Sequence, residues 1–210
     1  MKIELETVRP DEIERRSFAI IESELPHLLD PALAPIIKRV IHTTADFDYA
    51  DSLYFSDGAV DAALRALQQG ATIVTDTNMA LAGIHQAALE KLGCKAFCFM
   101  ADADVAAVAK ANGTTRATAA MDKAAALDGP IIFAIGNAPT ALVRLYERIE
   151  EGALHPALVV GVPVGFVNVV QAKELIIKTS VPCIVARGRK GGSNVAAAII
   201  NALLYRLARG

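Results

Sequence analysis

The sequence predicts an α/β fold: an open, mostly parallel sheet of about five strands with helices on both faces, preceded by a helical N-terminal segment. Three observations predict it. From residue 71 onward, short apolar runs alternate with longer helical stretches, the pattern of strand–helix–strand units. Hydrophobic residues make up 53% of the 210-residue chain while aromatics make up 5% and Trp is absent, so aliphatic side chains carry the core, as in a sheet covered on both sides. Three late segments share one form, an apolar run, a glycine-containing turn and a helix. They are Ile131–Ile135 into Gly136-Asn137-Ala138-Pro139, Ala157–Val160 into Gly161-Val162-Pro163-Val164-Gly165, and Ile184–Ala186 into Arg187-Gly188-Arg189-Lys190-Gly191-Gly192-Ser193.

The elements follow in order. Residues 11–25 form a first helix, with Pro10 near its start and Pro26 ending it. Asp30-Pro31 opens a second, which runs through Ile36, Ile37 and Val40 to about Ile41. The stretch from His42 to Asp51 has no sustained periodicity and reads as a loop. A third helix starts near Asp57, sets Val60, Leu64 and Leu67 on one face, and stops at Gly70. Strands are expected at 71–75, 95–99, 131–135, 157–161 and 183–187. The helix over 138–150 carries Leu142, Leu145, Tyr146 and Ile149 at helical spacing. The last helix, 194–208, is apolar nearly all round and is expected to be buried, within its own fold or against a second subunit. No repeat, low-complexity segment or linker divides the chain, so residues 1–210 read as a single domain.

The composition excludes several classes. A net charge of −2 gives no global attraction to nucleic acid, and the scarcity of aromatics removes a stacking surface for bases. Three cysteines, Cys94, Cys98 and Cys183, fit buried thiols in a reducing cytoplasm better than a disulfide framework. The N-terminal Met1 to Glu6 is charged and lacks the apolar run of a signal peptide. Pro156 to Ala172 carries no charge, but Gly161, Pro163, Gly165 and Asn168 interrupt it. A strand, a turn and a helix start fit it better than a membrane span.

In an open parallel sheet the three glycine turns lie outside the carboxyl ends of the strands, where ligands bind. Neither nucleotide signature is present. Gly188-Arg189-Lys190-Gly191-Gly192-Ser193 lacks the spacing of a phosphate loop, and the strand ending at Thr75 leads into Asp76-Thr77-Asn78-Met79 rather than a dinucleotide fingerprint. His42 stands out among titratable groups, before Asp46, Asp48 and Asp51. It suits proton transfer at neutral pH or, equally, a helix C-terminal histidine facing the dipole. No second histidine is near enough to favour a metal set with Asp46 and Asp48. His27 and His155 read as loop histidines, and His85 as helical. Arg39 lies one turn before His42 and projects to the same side. Arg116, Arg187, Arg189 and Lys190 lie in turns, and arginine forks suit a substrate with several carboxylate arms.

The segments Arg16-Ser17-Phe18, Arg39-Val40-Ile41-His42, Gly136-Asn137-Ala138-Pro139-Thr140-Ala141-Leu142, Gly161-Val162-Pro163-Val164-Gly165-Phe166-Val167 and Gly188-Arg189-Lys190-Gly191-Gly192-Ser193 closely resemble the precorrin-8X methylmutase family. The resemblance runs from Arg16 to the last helix. It implies an isomerase of cobalamin biosynthesis that moves a methyl group from C-11 to C-12 of precorrin-8X or cobalt-precorrin-8. It further implies no organic cofactor, a tetrapyrrole substrate and product, and a homodimer. By resemblance His42 is the proton donor and acceptor, and Ser17 and Arg39 bind substrate. Arg116, Asn137 and Arg189 join them as binding candidates from their positions in the turns. No metal site, nucleic-acid partner or membrane partner is expected. One departure stands out: the family usually continues Gly-Ala-Ala-Glu-Ser-Lys where this chain has Asn168-Val169-Val170-Gln171-Ala172-Lys173. A non-catalytic corrinoid carrier that keeps the pocket is the alternative reading, and an NAD-type oxidoreductase is disfavoured by the missing fingerprint.

Overall fold

The computed structural model describes Arg9 and residues 12–208. The expectations for Met1–Glu6 and Pro10 lie outside the described residues. The sheet has six strands in the order β1-β6-β5-β4-β2-β3. Five are those read from the sequence: β2 (Thr72–Thr75), β3 (Lys95–Phe97), β4 (Ile131–Ile135), β5 (Leu158–Gly161) and β6 (Cys183–Ala186). All five run parallel. The sixth, β1 (Leu53–Phe55), pairs antiparallel with β6, Leu53 opposite Ala186. Three residues are too few to show a period, which is why this edge strand leaves no trace in the sequence pattern.

Each central strand is buried on both faces, and its alternate residues feed two separate cores. Ile73, Ile132, Ala134, Leu158, Val160, Ile184 and Ala186 face one core. Around it pack α1 (Ile13–Glu24), α2 (Ala34–Thr44), α4 (Ala59–Gln68), α5 (Asn78–Gly83), α6 (Gln86–Lys91) and α11 (Ser193–Ala208). Val74, Ile131, Phe133, Ile135, Val159, Cys183 and Val185 face the other. That core is closed by α7 (Ala103–Ala111), α8 (Arg116–Ala124), α9 (Pro139–Glu150) and α10 (Val169–Ile177). Helices therefore cover both faces, as expected.

One expectation needs correction. The stretch from His42 to Asp51 is mostly helical: α2 continues to Thr44, and α3 (Tyr49–Ser52) follows. The break is a single left-handed residue, Ala45 at φ 53°, whose N–H closes on the Ile41 carbonyl. Asp46 then accepts from the Asp48 N–H and starts the next turn. Tyr49 and Ala50 enter the core, an anchoring that the polar composition of the segment concealed. The last helix, α11, is buried by α2, α4, α5 and α6 of its own chain, so its apolar surface needs no second subunit to account for it. Among the smaller expectations, His85 caps α6 from outside, its Nδ1 accepting from Ala88 N–H. Cys94 and Cys183 are buried, whereas Cys98 is half-buried.

Candidate active site

Strands β2, β4, β5 and β6 are successive neighbours, so the turns after them share one rim. Two buried charges hold these turns from beneath. Asp76, 1% exposed at the end of β2, accepts from three main-chain N–H groups at the start of α9. These are Gly136 (2.8 Å), Asn137 (2.8 Å) and Ala138 (2.6 Å). Burial pushes this carboxyl above its usual range, and the three amides act against that. Lys173, 0% exposed on α10, donates to the carbonyls of Gly188 and Lys190, both at 2.8 Å. Burial lowers its ammonium to about 8.

The turns also bond to one another. Gly192 N–H donates to the Val162 carbonyl (2.8 Å), and Gly165 N–H to the Arg189 carbonyl (3.1 Å). Gly191, at φ +155°, lies so close that a Cβ there would stand 2.1 Å from the Val162 oxygen. Asn137 and Arg189 are exposed on this rim. Beside them stand Val164, Phe166 and Val167 with Met79 on α5, large apolar side chains left in solvent. The Arg189 guanidinium lies 5.5 Å from the Phe166 ring centroid. Arg116 opens α8, exposed; the neighbouring Thr115 hydroxyl bonds Thr140 at 2.9 Å, which brings the start of α8 to the start of α9.

His42 and Arg39 on α2 form a second group with Phe18 on α1, next in sequence to Ser17. His42 is exposed in the last turn of α2, its ring edge-on to Phe18 at 5.4 Å. Arg39 is sandwiched between Phe18 (4.8 Å) and Tyr205 (5.1 Å). Both arms of its fork meet the Glu14 carboxylate, at 2.9 and 3.1 Å. A cavity of about 320 Å³ opens beside it, lined by Phe18, Pro35, Arg39, Ala202 and Tyr205 among others. Ser17 Oγ donates to the Ile13 carbonyl within its own helix (2.9 Å).

The two groups touch through Lys190, which pairs with Asp46 at 2.7 Å and Asp48 at 2.5 Å, just past the end of α2. Lys190 holds the Asp46 carboxyl below its usual range. These aspartates therefore serve as partners of a lysine, and among the described residues no cluster of three His, Cys, Asp or Glu is placed to hold a metal. A further cavity of about 460 Å³ lies between α7, α8 and α9. Its charges satisfy each other, with Asp122 accepting from Arg144 and Arg148, both at 2.8 Å.

The spacing links Arg39 with His42, the resemblance adds Ser17, and Arg116, Asn137 and Arg189 are read from turns; in the structure Arg39 and His42 share α2, Asn137 and Arg189 stand on one rim, and Arg116 opens α8. Sequence reasoning missed Glu14, Asp76 and Lys173. The signal for Lys173 was available: it is the first charge after the uncharged run from Pro156 to Ala172.

A family model described as precorrin-8X methylmutase matches residues 12–206. The cobalt-precorrin-8 methylmutase of Salmonella typhimurium is 45% identical over 206 residues, covering 95% of this chain and 96% of that protein. The precorrin-8X methylmutase of Pseudomonas aeruginosa is 42% identical over 195 residues, covering 91% and 93%. A crystal structure of precorrin-8x methyl mutase from Thermus thermophilus is 44% identical, with a TM-score of 0.85 over 94% of this chain and 98% of that one.

Proposed function

The chain belongs to the precorrin-8X methylmutase family, an isomerase of cobalamin biosynthesis, and from that premise we propose that His42 moves the proton in a methyl shift from C-11 to C-12 of the macrocycle. The observation that carries this reading is the placing of His42: solvent-facing, oriented by the Phe18 ring, and one turn from an arginine fork that already holds a carboxylate. A methyl shift around a conjugated ring needs no nucleophile from the protein. It needs the substrate held in its reactive conformation and a proton delivered or removed as the π-system rearranges. Glu14 displays the geometry in which Arg39 takes a carboxylate, and an acid arm of the substrate takes its place. Arg189, Arg116 and the Asn137 turn receive the other arms, while the apolar rim of Val164, Phe166 and Val167 faces the ring.

The same rim supports a homodimer, since four large apolar side chains left in solvent are an association surface as well as a binding one. Free thiols at Cys94, Cys98 and Cys183 support a reducing, cytoplasmic setting. Among the described residues no helix is long and apolar enough to cross a membrane. The two cores share one continuous sheet, which supports a single domain over 1–210.

The test follows the visible spectrum of metal-free precorrin-8X and of cobalt-precorrin-8 with wild type and His42→Ala. Wild type converts at least one substrate. His42→Ala binds it and turns it over 10²- to 10⁴-fold more slowly, the usual contribution of a positioned acid–base group. Equal turnover by both proteins removes His42 from the mechanism. A bound chromophore that neither protein changes makes this chain a carrier.

A further inference from the structure

Lys173 has no part in the chemistry above, yet it is an ammonium with 0% exposure. Among the described residues no carboxylate pairs with it. An unpaired buried cation is costly, and a turn that needed only closing could use neutral donors. The β6–α11 turn has those already, in the Gly165 and Gly192 amides. The Lys173 ammonium adds a grip on two particular carbonyls, Gly188 and Lys190, which flank Arg189. It also puts a full positive charge beneath the face that anionic arms approach. On the other side the same turn is tied through Lys190 to Asp46 and Asp48, next to the helix that carries His42.

We propose that Lys173 is a positioning residue for the substrate, its buried ammonium fixing where Arg189 stands to receive a carboxylate arm. This rests on the reading of Arg189 as a binding residue. The experiment compares Lys173→Met, Arg189→Met and the double variant in steady-state turnover of the tetrapyrrole substrate, with thermal unfolding of each. Lys173→Met raises KM about tenfold, the worth of one charge-assisted contact, and leaves kcat within about twofold. The double variant matches Arg189→Met, because the lysine acts through the arginine. Losses that multiply in the double variant, or a kcat that falls as far as KM rises, make Lys173 a residue of the fold alone and overturn the inference. An unchanged KM in Arg189→Met overturns the reading of Arg189 and this inference with it. A raised KM there beside an unchanged one in Lys173→Met overturns this inference only. Lys173→Gln, which keeps one donor without the charge, is read the same way if the Met variant does not fold.

Discussion

Asp76→Asn keeps the shape of a side chain that is 1% exposed and removes its charge. In the native protein Oδ1 accepts from Gly136, and Oδ2 accepts from Asn137 and Ala138. An amide supplies one oxygen. Turned to keep the pair of donors, it points its NH₂ at the Gly136 N–H and leaves that buried donor unsatisfied, which costs about 1–3 kcal/mol. The two surviving bonds become neutral and weaken from about 1.5–3 to about 1 kcal/mol each. Against these losses, the variant no longer buries a carboxylate, and relief of that desolvation offsets much of the weakening. The net expectation at pH 7 is a loss of about 2 kcal/mol, read as a fall in Tm of about 4–8 °C for a chain of this size.

Acidification probes the same carboxyl from the other side. Burial raises the Asp76 carboxyl in the folded state, so between the unfolded and folded values the native protein binds the extra proton. Stability contributed by this group is therefore full below the unfolded value and is lost as pH rises through the folded one. Asn does not titrate, so the gap between wild type and Asp76→Asn is larger near pH 4 than at pH 7. Urea unfolding at both values measures it. A variant as stable as wild type at both, or a gap that widens as pH rises, refutes the account of a desolvated carboxylate held by three amides.

Two further outcomes follow from the same rim and its surroundings. Gly191→Ala sets a Cβ 2.1 Å from the Val162 oxygen at φ +155° and costs about 3 kcal/mol with a higher KM. Gly188→Ala, with open space around it, costs about 1 kcal/mol for its positive φ alone; equal losses in thermal melts of the two contradict the close-approach argument. In a thiol titration of the native protein, half-buried Cys98 reacts, while Cys94 and Cys183, their thiols pushed up by burial, react only after unfolding. Rapid reaction of all three thiols contradicts the packing described.

The three central strands β4, β5 and β6 and their turns were legible because each is an unbroken apolar run with glycine in the turn it leads into, and full burial on both faces demands that composition. Leu53–Phe55 was not, because an antiparallel edge strand of three residues is defined by its partner rather than by its own pattern. The exposed His42 and Arg189 and the half-buried Arg39 were found through short motifs and residue chemistry. Asp76 and Lys173 escaped for a shared reason: each acts on main-chain atoms distant in sequence, Gly136–Ala138 for one and Gly188 with Lys190 for the other. No local spacing encodes such a partnership.

The pairing of β1 with β6 has a consequence for synthesis. Leu53 sits opposite Ala186, and α2, which carries His42, packs on α11. A nascent chain therefore makes α2 early and cannot complete its packing until the final strand and helix leave the ribosome. For most of translation the apolar faces of α2 and α4 await a helix not yet made. Premature termination before Ser193 removes α11 altogether and leaves α2 without the helix it packs against most. The surroundings of His42 are thus completed last, once α11 has been made.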